Sequence, residues 1–168
     1  MLRKIVVTLL VIFGYLLQST VFQKLSLGGI APNILLIITA SFGFMRGKTE
    51  GMVIGFFSGL IIDVLFGEII GFYALIYMII GYSNGFFRSI FYPEDIKLPM
   101  VLISSSELIF CFLVYVCRLI FRGRMNFGYC FLHIILPEIV YTIFVTIIIY
   151  KVILFINERL EDHEKRRV

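Results

Sequence analysis

The chain has 168 residues, a length that suits one domain, and 60% of them are hydrophobic, at a mean hydropathy of +1.01. A soluble domain carries roughly 45–50% apolar residues, so the surplus must face lipid or other helices. The net charge of +4 would suit nucleic acid in a soluble protein. Here the basic residues stand at the ends of apolar runs, where membrane loops carry them, so no nucleic-acid partner is expected.

The start, Met1-Leu2-Arg3-Lys4, looks like a secretory signal. The run Ile5 to Phe22 that follows is long and has no small-residue cleavage site, which predicts a retained first span. Five more apolar runs follow: Ala31 to Met45 and Gly51 to Phe66, both short, then Ile69 to Phe87, Leu98 to Phe121 and Phe127 to Ile156. Gly28-Gly29 and Pro32 open the second helix, Gly47 closes it, and Pro93 and Pro99 bracket the loop before the fifth. A helix needs about 20 residues to cross a bilayer core. No run alternates with a period of two, so a β-barrel is excluded. The predicted architecture is all-α: a polytopic integral membrane domain of six transmembrane helices over 1–156, then a basic cytoplasmic tail over 157–168. The two short spans fit tilted neighbours in a thinned bilayer, or a re-entrant pair.

With the N-terminus inside, Arg3, Lys4, Arg46, Lys48, Arg88, Lys97, Lys151, Arg159, Lys165, Arg166 and Arg167 all fall on the cytoplasmic side. Only Lys24, Arg118, Arg122 and Arg124 fall outside. That imbalance predicts two cytoplasmic termini. The three arginines of the last loop suit an acidic partner or lipid headgroups, or simply follow the orientation set by earlier spans. Cys111, Cys117 and Cys130 form no metal spacing and no even set; they read as small buried residues.

The most informative stretch runs from Gly47 to Gly71. Glycines recur at 47, 51, 55, 59, 67 and 71, and Asp63 fills the missing position. On a helix each step of four drifts by about 40°, so Gly51, Gly55, Gly59 and Asp63 share about 120° of one face. Glycine lets a neighbouring backbone approach closely, which is how helices associate in lipid. The row therefore predicts a packing seam for another helix of this chain or of a partner. Asp63 within it costs about 2.5–3.5 kcal/mol to insert. Its plainest role is a carboxylate that hydrogen-bonds or caps a neighbouring helix. A role toward a partner, or in proton handling, is the sharper alternative.

Glu107 and Glu138 are each placed about ten residues into their helices. Nothing in their spacing brings them together, and no nucleophile accompanies them. Serine, tyrosine or His133 across a helix interface would satisfy each. Pro137 predicts a kink in the sixth helix. His133 lacks a companion at the spacing of a metal pair. No GxSxG, HExxH, P-loop, GxGxxG or DxDxDG pattern occurs. The expectation is a binding protein with no catalytic residue, no metal and no cofactor.

The run Gly55-Phe56-Phe57-Ser58-Gly59-Leu60-Ile61-Ile62-Asp63, with Gly67, Gly71 and Ala74-Leu75 after it, resembles the core motif of the rod shape-determining protein MreD family. Upstream, Ala31-Pro32-Asn33-Ile34-Leu35-Leu36 is similar to that family's Pro-Asp-hydrophobic start to the second helix, with Asn33 in place of the acid. The resemblance implies a non-enzymatic scaffold of the bacterial cell-elongation machinery in the cytoplasmic membrane. It implies MreC as partner, peptidoglycan synthases of the RodA and class B penicillin-binding type beyond it, and MreB in many species. It also implies a fold like the substrate-binding subunits of vitamin transporters. The residues expected in helix packing or partner binding are Gly51, Gly55, Gly59, Asp63, Gly67, Gly71, Pro32, Asn33, Pro137 and Glu138. The rival reading is a vitamin-type binding subunit of a transporter. Against it, the first span holds no alanine, where such subunits carry alanines spaced four apart.

Overall fold

A computed structural model describes residues 2–25, 31–67, 70–90, 97–122 and 135–165, together with 128 and 132. The described elements are helical, in six segments. α1 (Leu2–Leu16) continues through a π-helical turn (Leu17–Val21) and one further turn (Phe22–Lys24). α2 is Ile34–Arg46, α3 is Lys48–Phe66, and α4 is Phe72–Asn84, extended by a 3-10 stretch (Gly85–Ile90). α5 is Lys97–Arg122 and α6 is Leu136–Lys165.

α2 is the centre of the molecule. Every residue from Ile34 to Met45 is buried, and α2 touches each of the other helices. A helix that is apolar all round belongs inside protein or lipid, and here protein surrounds it. At 13 residues it is about 20 Å long, too short to cross a core of about 30 Å. Gly47 joins it to α3. Its N–H donates to the Gly43 carbonyl at 2.7 Å, and its φ of +105° is left-handed backbone that only glycine adopts cheaply. One residue therefore reverses the chain.

α1, α5 and α6 are each long and apolar enough to cross a membrane, over Arg3–Lys24, Lys97–Cys117 and Leu136–Leu160. Their outward faces are apolar: Phe144 is 67% and Ile148 69% exposed on α6. Surface of that kind suits lipid rather than water, and the protein is an integral membrane protein. α3 has 19 residues but carries Lys48, Glu50 and Asp63, and α2 and α4 are shorter. By length and composition the described helices supply three spans where six were expected, because α2 and α3 gain burial from protein, not from apolar length.

Two boundaries differ from expectation. α6 does not stop at Ile156 but runs to Lys165. Asn157 and Leu160 are buried, and Arg46 donates to the Asn157 side chain at 2.5 Å and to its carbonyl at 3.3 Å. That contact ties the tail segment to the end of α2. Pro137 lies near the described start of α6, two residues after π-helical Ile135, the kind of place where a proline disturbs the helical ladder. Pro99 falls in the first turn of α5 instead of before it. Arg3 pairs with Glu50 at 2.5 Å, each about one-third exposed, which brings α1 to the start of α3. Gly28, Gly29, Pro93, Arg124, Tyr129, Cys130, His133, Arg166 and Arg167 lie outside the described residues.

Candidate functional site: two capped helix starts and a buried acidic cluster

The glycine row meets α4. A Cβ on Gly51 would lie hard against the Gly81 carbonyl and 2.6 Å from the Gly43 Cα; one on Gly55 would strike the Tyr77 carbonyl; one on Gly59 would sit 2.5 Å from the Ala74 Cα. Among the described helices, α3 and α4 share the most extensive contact. This backbone-on-backbone approach fills the seam with the chain's own helix. Gly67 and Gly71 do not continue the row. Gly67 ends α3, its N–H donating to the Asp63 carbonyl at 3.0 Å, and Gly71 starts α4 with a left-handed φ of +99°. The spacing of four persists in sequence, but the helix ends first.

Asp63 closes the turn. Its Oδ2 accepts from the Gly71 N–H at 3.0 Å and the Ala74 N–H at 2.8 Å, and its Oδ1 accepts from the Tyr73 N–H at 2.9 Å. These donors belong to the first turn of α4, which no intrahelical carbonyl can serve. A carboxylate there also meets the positive end of the helix dipole. Asp63 is 1% exposed, so the capping geometry accounts for a buried acid without a partner protein.

The start of α2 is satisfied in the same manner. The Ile34 N–H donates to Pro32 O, Leu35 N–H to Gln18 Oε1 at 3.1 Å, Leu36 N–H to Asn33 Oδ1 at 3.3 Å, and Ile37 N–H to Asn33 O. Asn33 N–H itself donates to Thr142 Oγ1. The Ile37 bond is the first of the helix's own ladder, and the four orphan donors before it, those of Asn33, Ile34, Leu35 and Leu36, are all placed. Asn33 does as a neutral cap what an acid would do as a charged one. Gln18 escaped the sequence reading, although one amide in an apolar first span was the signal. Gln18→Leu is expected to fray the start of α2 at a cost of about 1–2 kcal/mol, read as faster hydrogen exchange at Leu35 with the rest of α2 unchanged.

Beside Asn33 lies a polar cluster buried among α2, α4, α5 and α6. The Tyr77 hydroxyl donates to Asn33 Oδ1 at 2.5 Å. Glu107 from α5 is fully buried, and neither of its oxygens has a hydrogen-bond partner, although the Asn33 side chain lies alongside. Cys111, one turn further along α5, donates to Glu138 Oε2 at 3.8 Å. Donor atoms of Glu107, Cys111 and Glu138 all fall within 4.8 Å of one another. The structure thus brings together two carboxylates whose spacing in sequence gave no sign of it. Glu138 stands near the described start of α6, and the residues before it from which its depth was counted lie mostly outside the described ones. Cys111 and Cys117 are free thiols.

Comparison with known proteins adds the family. The model of the rod shape-determining protein MreD matches residues 1–158. The chain belongs to the MreD family. No curated protein and no solved structure matches it. The MreD match takes in both capped helix starts, the α3–α4 seam and the acidic cluster, and membership connects the protein to rod shape determination.

Proposed function

We propose that this MreD-family protein is a non-enzymatic scaffold of the bacterial cell-elongation machinery. It lies in the cytoplasmic membrane with six helices, the short ones crossing where the bilayer is locally thinned, and with both termini inside, in the manner of the substrate-binding subunits of vitamin transporters. It binds MreC, and through it RodA and a class B penicillin-binding protein, with MreB reached from the cytoplasmic side. The observation that carries this reading is the family match over 1–158. The clustering of Arg3, Arg46, Arg88 and Arg159 near one set of helix ends supports the orientation.

The surface for the MreC span is not the glycine seam, since α4 already fills it. The opposite side of α3 is open. There a groove of about 570 Å³ runs between α1 and α3, with apolar walls that include Val7, Val11, Val53, Ile54 and Phe57, and with Arg3 and Lys4 at its mouth. Such walls accept the side-chain ridge of one apolar helix, and packing of that kind drives association in lipid. In a cysteine-free background, Val53→Cys and Phe57→Cys should cross-link to a cysteine placed in the MreC span, and Ile148→Cys on α6 should not. Cross-links at Ile148 alone would place the partner on the other face. A pull-down that recovers no elongation proteins, with tight saturable vitamin binding instead, would replace the scaffold reading with the transporter one.

A further inference from the structure

We propose that Glu107, Cys111 and Glu138 form an intramembrane site for one divalent cation of the zinc class. Glu107 is the decisive residue. Both its oxygens are buried without a hydrogen-bond partner, where an unpaired carboxylate is most costly. A Glu107 oxygen lies within 4.8 Å of the Cys111 sulfur and of a Glu138 oxygen. Glu107 and Cys111 are four apart on α5, so they share one face, and α6 brings Glu138 opposite.

The donor set selects the metal. Two carboxylate oxygens and one sulfur suit a borderline-soft ion that accepts both ligand types; magnesium and calcium prefer oxygen alone. Three protein donors and an open fourth position match the donor count of zinc sites that keep an exchangeable ligand. The 3.8 Å between Cys111 Sγ and Glu138 Oε2 is near the separation of two ligands on one tetrahedral ion, whose bonds are about 2.0–2.3 Å. Glu107 supplies the third donor, within 4.8 Å of the other two. On binding, the Cys111 thiol loses its proton to solvent and becomes the thiolate ligand. The ion offsets the two carboxylate charges and clamps α5 to α6. The Asn33 side chain, beside Glu107 and itself held by the Tyr77 hydroxyl, would hold that carboxylate in orientation, as outer-shell partners do.

The test uses the purified full chain in detergent or nanodiscs, stripped with a chelator and titrated with Co²⁺ and then Zn²⁺. A thiolate-to-cobalt charge-transfer band that saturates at one equivalent, disappears with Zn²⁺ and accompanies a raised melting temperature is the expected result. Cys111→Ser should abolish the band yet retain weaker binding. Cys117→Ser should leave it unchanged. Glu107→Gln and Glu138→Gln should weaken Zn²⁺ binding by more than the roughly 10–100-fold that loss of an outer-shell partner costs. Circular dichroism and a monodisperse elution profile confirm that each variant is folded, and Cys111→Ser carries the test if the glutamate variants are not. A folded wild-type chain that gives no band and no thermal shift overturns the site and leaves the carboxyls holding protons. A band that survives Cys111→Ser places the metal elsewhere and overturns it as well.

Discussion

Gly55→Val is expected to leave almost no monodisperse protein. The new Cβ would collide with the Tyr77 carbonyl and meet Thr39 Cγ2 at 3.0 Å, so the α3 and α4 backbones must separate. Overpacking a core commonly costs about 1–3 kcal/mol. Here the obstacle is backbone that cannot rotate away, so the expected loss is about 4 kcal/mol or more, at the exceptional end for one substitution. Two other glycines calibrate the claim. Gly71→Ala meets nothing within 4 Å but carries a φ of +99°, a strain worth about 1–2 kcal/mol. Gly14→Ala meets the Ile38 Cδ1 at 2.5 Å, the far end of a flexible side chain, and should fall within about 1 kcal/mol of wild type. Fluorescence-detected size exclusion and thermal unfolding read the series. Gly55→Val as stable as Gly14→Ala would disprove the close approach of α3 to α4.

Asp63→Ala carries the second large effect. It strands the N–H groups of Gly71, Tyr73 and Ala74, the last fully buried and the other two partly buried. At about 1–3 kcal/mol for each buried orphan, the expected loss is about 3 kcal/mol or more. Asp63→Asn keeps one acceptor oxygen but turns an amide donor toward at least one of those N–H groups, and should lose roughly half as much. Hydrogen exchange at Tyr73 and Ala74 should rise before exchange in α2 does, because the cap acts on α4 first. Cell rounding should track the stability order alanine, asparagine, wild type, since the carboxylate acts through the fold. Full stability of Asp63→Ala combined with lost MreC binding would instead make Asp63 a contact residue.

The two starts show how local sequence and tertiary structure divide the work. Pro32-Asn33 before an apolar run is a helix start on its face, and Asn33 does cap Leu36. The Gln18 and Thr142 bonds that complete α2 come from residues 17 and 109 positions away. No local pattern foretells them. Likewise Asp63 was visible as a costly acid, but the three N–H groups that explain it lie beyond the turn at residues 67–71.

Composition and periodicity alone determined that the chain is all-helical and lipid-embedded, because apolar surplus and backbone hydrogen bonding admit few other solutions. The glycine spacing alone marked a close-packed face, because only the absence of a Cβ permits such contact. Tertiary structure decided the rest. It chose α4 as the occupant of that face, made the short α2 the protein-wrapped centre, ended the glycine row at Asp63, and set Glu107 and Cys111 against Glu138. Each of these depends on which helix faces which, and that is settled by packing across the whole bundle, not by any window of sequence.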